Sequence, residues 1–527
     1  MNPQTNVPTP SIVRHLPRLE YSRDRFNNRE EVLNEVENRV HDLQQDKLVK
    51  QTVLLMWGVH GIGKSWILQR IAEDYRYKPS TKRRKGVVAA MTSFENFDPS
   101  RDRLSALLGN LVDKITASLP SDLVQRSVEL KEFYKLIDAS GPDPDNGKVA
   151  ERFVDLVGSL GSEYVPVLLF DALEGLEAEH VRFLNWLEQY LFAPLVRWNR
   201  TLIILASRRE LRQLRDFEVR RRVKKLSLDA FPRKEVGRQV GSEAIGELLF
   251  PITYGHPLST WYIQSQLERV REPGEEFTAE FLTNRHQDLV GLLNDIVEQL
   301  LFVDVANSAT RERLMIAATL RAFHITSLQR ILAAVLERSE IQDQPDSEVQ
   351  RWIDEMTDTN LVRWSLQRSG YEVEVAVRHI INRLWALQDD QEYVARHRAA
   401  FELYRSWIET MPFTSDRYIV EATYHLAAVV QAMPNKRSEA RTDLQTILDT
   451  VFPPGRDVKL ERIDTIVQNV VMDEELSETD GGLYKMLLER LSILRDHKIN
   501  QSILDWDDDE DDVGVEAEQE VIAMPVF

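Results

Sequence analysis

Short apolar runs alternate with amphipathic stretches through the first part of the chain. The runs are rich in Val, Ile and Leu and are bounded by polar residues, which predicts strands over 52–57, 86–94, 164–171, 201–207 and 223–228. The segments between them are long enough for crossover helices. The alternation therefore predicts an α/β domain over residues 22–230, built on a doubly wound, parallel sheet of five strands.

Beyond residue 230 the spacing of the apolar residues becomes helical. This spacing predicts an all-α domain over residues 231–305. Residues 306–390 predict three helices and then two strands joined by Arg-Ser-Gly, an order of elements that describes a winged-helix domain. Residues 391–500 predict a C-terminal helical domain without a regular repeat.

The two ends of the chain have a different character. Residues 1–21 contain several prolines and predict an irregular segment. Residues 501–527 form an acidic tail, in which the carboxylates between Asp505 and Asp512 repel one another. We expect this tail to be disordered or bound to a basic partner.

Composition excludes several classes of function. The chain has 527 residues, 43% of them apolar, which is enough for several folded domains, and its formal charge of −19 argues against a surface broadly adapted to nucleic acid. The absence of cysteine excludes disulfides, thiolate zinc sites and cysteine nucleophiles. No apolar run is long enough to cross a bilayer, and the first residues lack the apolar stretch of a signal peptide, so we expect a cytoplasmic protein without membrane contact.

One motif carries most of the chemistry. The stretch GVHGIGKS, residues 58–65, matches G-x-x-x-x-G-K-[ST] and lies between a predicted strand and a predicted helix. Glycines allow backbone N–H groups to point inward at phosphates, Lys64 reaches the β- and γ-phosphates, and Ser65 binds Mg²⁺. The motif predicts a P-loop NTPase domain that binds ATP or ADP with Mg²⁺, through Gly58, Gly61, Ile62, Gly63, Lys64, Ser65 and Trp66.

Two further strand ends supply candidate catalytic groups. Asp171 follows a mostly apolar predicted strand, where an acid can hold Mg²⁺ through water together with Ser65. Glu174 is a candidate for orienting the attacking water, and Glu177 competes with it for this role. Arg208 follows the next predicted strand, at the sheet edge where ligands gather, and is a candidate for contacting the γ-phosphate.

These elements, with FNNREEVLNE before them and YGHPLST after them, resemble the STAND class of signalling ATPases, which includes the NB-ARC and NACHT proteins. FNNREE resembles the hhGRxxE motif of that class with Asn28 in the glycine position, which implies that Arg29 lies near the adenine or ribose. GHP, residues 255–257, is similar to the GxP motif, which implies that Pro257 packs against adenine. DALE, residues 171–174, looks more like NACHT than like NB-ARC.

The resemblance extends to the predicted winged helix. In VAVRHIINRL, His379 falls where a histidine of that class contacts the β-phosphate in the closed, ADP-bound state, although Arg378 and Ile380 replace the usual Met and Asp. The resemblance implies a switch that ADP holds closed, that ATP opens for self-assembly into a homo-oligomer, and that slow hydrolysis resets. It implies a role in bacterial signalling or antiviral defence. No effector domain or long repeat sensor is recognisable, so we expect sensing, output or both to be supplied by a separate protein or by the C-terminal helical domain docking a partner.

Two alternative functions stay open. A winged helix and the basic stretches 78–85 and 207–225 allow a DNA-associated, origin-recognition-like or transcription-regulating ATPase, although the net charge disfavours nucleic acid. The single acid that ends the predicted strand 164–171 also allows a scaffold that binds ATP without turnover. A hydrolase of small substrates has no support, because no motif places a Ser-His-Asp set.

Overall fold

The computed structural model describes residues 19–95, 97–98, 103–139, 146–211, 214–412, 416–453, 458–479 and 481–510. The chain divides into two compact units. The first contains the described residues up to 311 together with 354–364 and 373–384, and the second contains 312–353, 365–372 and the described residues from 385 onward. Most of the predicted N-terminal segment, up to residue 18, and the tail from residue 511 lie outside the described residues.

A six-stranded sheet forms the centre of the first unit. Its strands are β1 (Val53–Trp57), β2 (Tyr77–Lys78), β3 (Gly86–Ser93), β4 (Tyr164–Asp171), β5 (Leu202–Ser207) and β6 (Val223–Ser227), in the spatial order β2-β3-β4-β5-β1-β6. All neighbours except β2 and β3 pair in parallel, so the five predicted strands are confirmed. The prediction of a five-stranded sheet missed β2, which pairs antiparallel with β3 at the sheet edge. A strand of two residues is too short to show a periodicity.

The helices of the first unit that precede residue 300 cover the sheet and continue after it in the chain. They are α1 (Glu30–Gln44), α2 (Lys64–Asp74), α3 (Leu104–Ser118), α4 (Ser121–Arg126), α5 (Val128–Ala139), α6 (Asn146–Leu160), α7 (Glu174–Glu179), α8 (Val181–Leu187), α9 (Ala193–Arg197), α10 (Phe217–Arg222), α11 (Arg233–Val240), α12 (Glu243–Thr253), α13 (Pro257–Val270), α14 (Ala279–Asn284) and α15 (His286–Ile296). The residues of β4 and β5 are all buried, because parallel strands in such a sheet are covered on both faces. The main core joins Phe170 and Leu205 of these strands to helical residues such as Leu111 and Phe153.

The next segment contains the elements predicted for residues 306–390. Three helices, α16 (Ser308–Ala317), α17 (Ile325–Val335) and α18 (Asp346–Asp358), precede the two-stranded sheet of β7 (Val362–Ser365) and β8 (Gly370–Val373), and α19 (Val375–Gln388) follows. Their interpretation as a winged helix, like the domain boundaries drawn from the sequence, stays a prediction.

The end of the described chain is helical. It contains α20 (Asp390–Thr410), α21 (Asp416–Ala432), α22 (Arg437–Val451), α23 (Leu460–Val471), α24 (Glu474–Glu478) and α25 (Gly481–Glu510). Helix α25 continues past residue 500, where the sequence predicts the start of the acidic tail, because lengthening an existing helix costs much less than nucleating one. None of the helices in the described ranges is long and apolar enough to span a bilayer.

Candidate nucleotide-binding site

The glycine motif forms a loop directly after β1, which we call the phosphate loop (residues 58–65). Gly61 and Gly63 have φ angles of +79° and +104°, a region that favours glycine. A Cβ atom on Gly63 would have no atom within 4 Å, so this residue borders open space at the start of α2. The first N–H groups of a helix lack intrahelical partners and attract anions. The loop therefore fits a phosphate group.

Three consecutive carbonyl groups of the phosphate loop are held from outside. The carbonyl oxygen of His60 lies 2.8 Å from His256 Nε2, that of Gly61 accepts from the Leu258 N–H at 3.3 Å, and that of Ile62 accepts from Arg29 Nη2 at 2.9 Å. In a trans peptide the N–H points opposite to the C=O. Holding these oxygens fixes the direction of the N–H groups of the loop, which is the property a phosphate cradle requires.

Lys64 lies across its own loop. Its ammonium donates to the carbonyl oxygens of Gly58 at 2.6 Å and Val59 at 3.0 Å. Burial lowers the pKa of Lys64 to about 8, although the carboxylates of Glu174 and Asp171 act in the opposite direction. The site thus contains a desolvated cation that an anionic ligand would stabilise.

The two predicted magnesium ligands come together at the carboxyl edge of the sheet. The register pairs Ser93 with Asp171 and Trp57 with Ser207, so β4 ends at the same edge as β1 and β5. Burial raises the pKa of Asp171, and a hydrogen bond from Ser65 opposes that shift. The described residues contain no group of three or more side chains placed to hold a metal ion. Ser65 and Asp171 could hold Mg²⁺ only with phosphate oxygens and water, which is how Mg²⁺ is usually bound beside phosphates.

Arg208 and Glu174, both predicted to act at the γ-phosphate, are paired with each other. Arg208 Nε lies 3.0 Å from Glu174 Oε1, and the Arg208 N–H donates to Glu174 Oε2 at 3.1 Å. The guanidinium also forms an ion pair with Asp304, which follows α15 in the chain. In this arrangement Glu174 and Arg208 partly neutralise each other's charge. The side chain of Glu177, the competing candidate, lies outside the described residues.

Arg29 anchors the phosphate loop to the start of α1. Besides its bond to Ile62, its guanidinium lies 4.7 Å from the ring centre of Phe231, and burial lowers its pKa to about 10. Asn28 and Arg29 both have positive φ angles, 59° and 80°. Asparagine tolerates this conformation better than most residues, which explains Asn28 in the glycine position of the motif. Contact between Arg29 and a base stays a prediction.

His256 is a positioning residue that the sequence did not reveal. Its Nδ1 accepts from the Ser259 N–H at 3.2 Å, so the ring proton of the neutral form is on Nε2 and donates to the carbonyl of His60. Pro257 is the first residue of α13, a position where its missing N–H costs nothing. The only sequence signal for His256 is its place between Gly255 and Pro257 in the GHP turn.

Because His256 is fully buried, we expect acid to destabilise the first unit. Burial lowers the pKa of His256 to about 4, against 6.5 for an ordinary histidine. Between pH 4 and 6.5 the unfolded chain binds more protons than the folded one. The contribution of neutral His256 to the free energy of unfolding is therefore complete above pH 6.5 and is lost as the pH falls to 4, which amounts to about 3 kcal/mol. Urea unfolding between pH 7 and 4.5 should show a shallower pH dependence for His256→Gln than for the wild type. The exposed His497→Gln is the control and should follow the wild type; equal slopes for all three proteins would contradict the prediction.

Gly255 is the residue of this turn that tolerates substitution least. Its φ is +74°, and a Cβ atom would lie 1.9 Å from the carbonyl oxygen of Phe231, whose N–H donates to the Gly255 carbonyl at 2.8 Å. Gly274 has a φ of +89° but open space around it, so Gly274→Ala should cost only the backbone strain of about 1–2 kcal/mol. We expect Gly255→Ala to cost about 2 kcal/mol more than Gly274→Ala in urea unfolding. Equal losses would show that the turn can move away from Phe231.

His379 and Trp66 contact aromatic side chains. The His379 ring stacks on Tyr254, with 3.7 Å between ring centres and 1° between planes, beside the GHP turn. Trp66 meets the ring of Tyr21 edge-on at 5.5 Å. Their predicted contacts with the nucleotide stay predictions. Tyr254, Phe231, His256 and Asp304 are neighbours of the site that the sequence analysis missed.

The fold and the loop together define a class. A parallel sheet, a glycine loop between β1 and α2, a buried lysine at the start of α2 and an acid at the end of β4 are the components of a P-loop NTPase fold.

Comparisons with known proteins find only distant similarities. No protein-family model matches the sequence, and no curated protein matches it. Among solved structures, the Walker-type ATPase of Pyrococcus abyssi is 15% identical, with 69% of this chain and 98% of that chain covered at a TM-score of 0.45. A STAND protein with a tetratricopeptide repeat sensor from Pyrococcus horikoshii is 13% identical; the match covers 92% of this chain and 66% of that chain at a TM-score of 0.29. The ORC1 protein of Aeropyrum pernix, solved in complex with DNA, is 13% identical; the match covers 70% of this chain and 94% of that chain at a TM-score of 0.31.

Proposed function

We propose that the chain is a nucleotide-dependent switch of the STAND type, with ATP and ADP as alternative ligands and Mg²⁺ as cofactor. The observation that carries the proposal is the attachment of the phosphate loop to the GHP turn. His256 and Leu258, at the start of α13, hold the carbonyl groups of His60 and Gly61. A ligand that moves the loop therefore also moves the first turn of a helix beyond the sheet.

A switch also needs a group that responds to the γ-phosphate, and Arg208 meets this requirement. It is paired with Glu174 at the sheet edge and with Asp304 beyond α15. We propose that a γ-phosphate competes with both carboxylates for the guanidinium. Asp304 would then lose its partner, and Glu174 would be released to orient a water molecule. Nucleotide shifts such an equilibrium only by the difference in its affinity for the two arrangements.

The Mg²⁺ ion would neutralise charge on the β- and γ-phosphates, held by Ser65 and Asp171. Lys64 would exchange its two carbonyl partners for phosphate oxygens, and Arg29 would keep the loop in place from the other side. We further propose that the ATP-bound form assembles with itself or engages a separate effector, in bacterial signalling or defence.

Measuring the molar mass by light scattering tests the switch. The wild type, Lys64→Met and Glu174→Gln are compared with ADP, ATP and a non-hydrolysable ATP analogue. We expect a higher mass with ATP or its analogue for the wild type, no response for Lys64→Met, and an ATP-induced assembly of Glu174→Gln that persists longer than that of the wild type. A scaffold without turnover would give the same persistence for Glu174→Gln and the wild type. Identical masses under all conditions, with nucleotide bound, would refute ATP-driven self-assembly.

The DNA-associated alternative has weaker support. Several cations of the basic stretch 207–225 are paired with acids: Lys224 with Glu35, Lys225 with Glu210, and Arg221 with Glu218. Such pairing reduces the charge available to DNA phosphates. Retention by duplex DNA at physiological salt would nevertheless favour this alternative over the switch.

A further inference from the structure

His60 is the residue of the phosphate loop whose side chain has no assigned role. It occupies a variable position of the motif, between Gly58 and Gly61. Its own carbonyl is held by His256, so the backbone direction at this residue is fixed. Its Nδ1 atom is buried and has no hydrogen-bond partner in the described part of the chain. A buried polar atom without a partner costs stability, and most buried polar atoms in proteins are paired, so an unpaired one calls for an explanation.

The charges that act on the His60 ring are those of a phosphate site. They belong to Arg208 and Lys64, while the neighbouring His256 is itself neutral near pH 7; the carboxylates of Glu174 and Asp171 act in turn on Lys64. Burial, followed by the charges of Arg208 and Lys64, lowers the pKa of His60 to about 3, so the ring is neutral near pH 7. Lys64 and Arg208 are also the two cations proposed to bind the γ-phosphate. The positive electrostatic potential that these two cations create at the His60 ring would therefore be reversed by the negative charge of a terminal phosphate.

We propose that His60 distinguishes a bound triphosphate from a diphosphate: its ring takes up a proton from solvent and donates a hydrogen bond from Nδ1 to an oxygen of the γ-phosphate. The proposal rests on the proposed function, because it requires a nucleotide in the phosphate loop. A phosphate beside the ring supplies the negative charge that stabilises an imidazolium between two other cations. A diphosphate lacks this group and leaves the ring neutral. The consequence is a pH-dependent preference for the triphosphate.

Calorimetry can count the protons directly. Binding of ADP and of a slowly hydrolysed thiophosphate analogue of ATP, each with Mg²⁺, is measured at pH 7.5 in two buffers of different ionisation enthalpy. For the wild type we expect uptake of close to one additional proton with the triphosphate compared with ADP. His60→Asn keeps a hydrogen-bonding side chain that does not titrate, and its proton uptake with the triphosphate should fall to the value measured with ADP. The exposed His497→Asn is the matched control and should behave as the wild type.

A second measurement does not depend on the variant folding. The affinity of the wild type for the triphosphate should fall up to about tenfold per pH unit between pH 6.5 and 8, because each unit costs 1.36 kcal/mol when one proton is bound. The affinity for ADP should stay nearly constant over the same range. Equal proton uptake for both nucleotides, a flat pH profile, or unchanged uptake in His60→Asn would overturn the role of His60. If the wild type binds neither nucleotide, the proposed function fails as well, so the two failures are distinguishable.

Discussion

Lys64→Met should weaken the binding of ATP and ADP with Mg²⁺ by at least about 100-fold, which corresponds to about 2.7 kcal/mol. The ammonium is buried and bonded to Gly58 and Val59, and phosphate oxygens would give this cation a charged partner in a desolvated site. Methionine keeps an unbranched, flexible side chain one atom shorter and removes the ammonium with its charge and its two hydrogen bonds. Fluorescence titration with a labelled nucleotide measures the change.

Two controls make this result specific. Lys82→Met removes an exposed cation, and its nucleotide affinity should equal that of the wild type. The unfolding free energy of Lys64→Met without nucleotide should be no lower than that of the wild type, because burial disfavours the charged lysine. Unchanged nucleotide affinity in Lys64→Met would remove the basis of the proposed function.

Arg321→Met should destabilise the second unit by about 3–5 kcal/mol. Arg321 is fully buried; its Nε and Nη2 atoms each lie 2.9 Å from Glu421 oxygens, and Nη1 lies 2.7 Å from both oxygens of Asp473. Without this guanidinium, Arg368 is the cation among the described residues that remains paired with both Glu421 and Asp473. These two carboxylates would then share Arg368 with Glu475 in a desolvated site, which is the cause of the expected loss.

Arg398→Met provides the comparison for Arg321→Met. Arg398 also pairs with two acids, Asp443 and Glu439, but it is partly exposed, so its loss should cost less than about 1 kcal/mol. Urea unfolding followed by tryptophan fluorescence measures both variants. A cost for Arg321→Met no larger than that for Arg398→Met would mean that the Arg321 cluster contributes little net stability.

The elements of the fold that follow from local pattern were predictable. β4 and β5 were visible as apolar runs because both of their faces are buried, and every residue of each strand contributes to the same signal. β2 was not visible, because it exists through pairing with β3 and its two residues are exposed. A strand that depends on a neighbour for its hydrogen bonds and buries little has no signature of its own.

The candidate site also has a part that the local sequence predicts and a part that depends on packing. Lys64, Ser65 and Asp171 were predicted because a strand end and a glycine loop fix their positions within a few residues of chain. The mutual pairing of Glu174 and Arg208 was not predicted, although both residues were singled out. Each of them was identified from its own strand, and the sequence does not state which oppositely charged group will be within reach.

The sequence by itself determined the parallel strands, the order of strands and helices along the chain and the position of the phosphate loop, because burial and glycine conformations leave periodic, local marks in the chain. Only the tertiary structure decided what holds that loop: Arg29, His256 and Leu258 reach the carbonyls of residues 60–62 from distant parts of the chain. It also decided the lowered pKa of His60 and the clustering of Arg321 with its acids. These properties arise from desolvation and from distances between charges, and both exist only once remote segments have packed together.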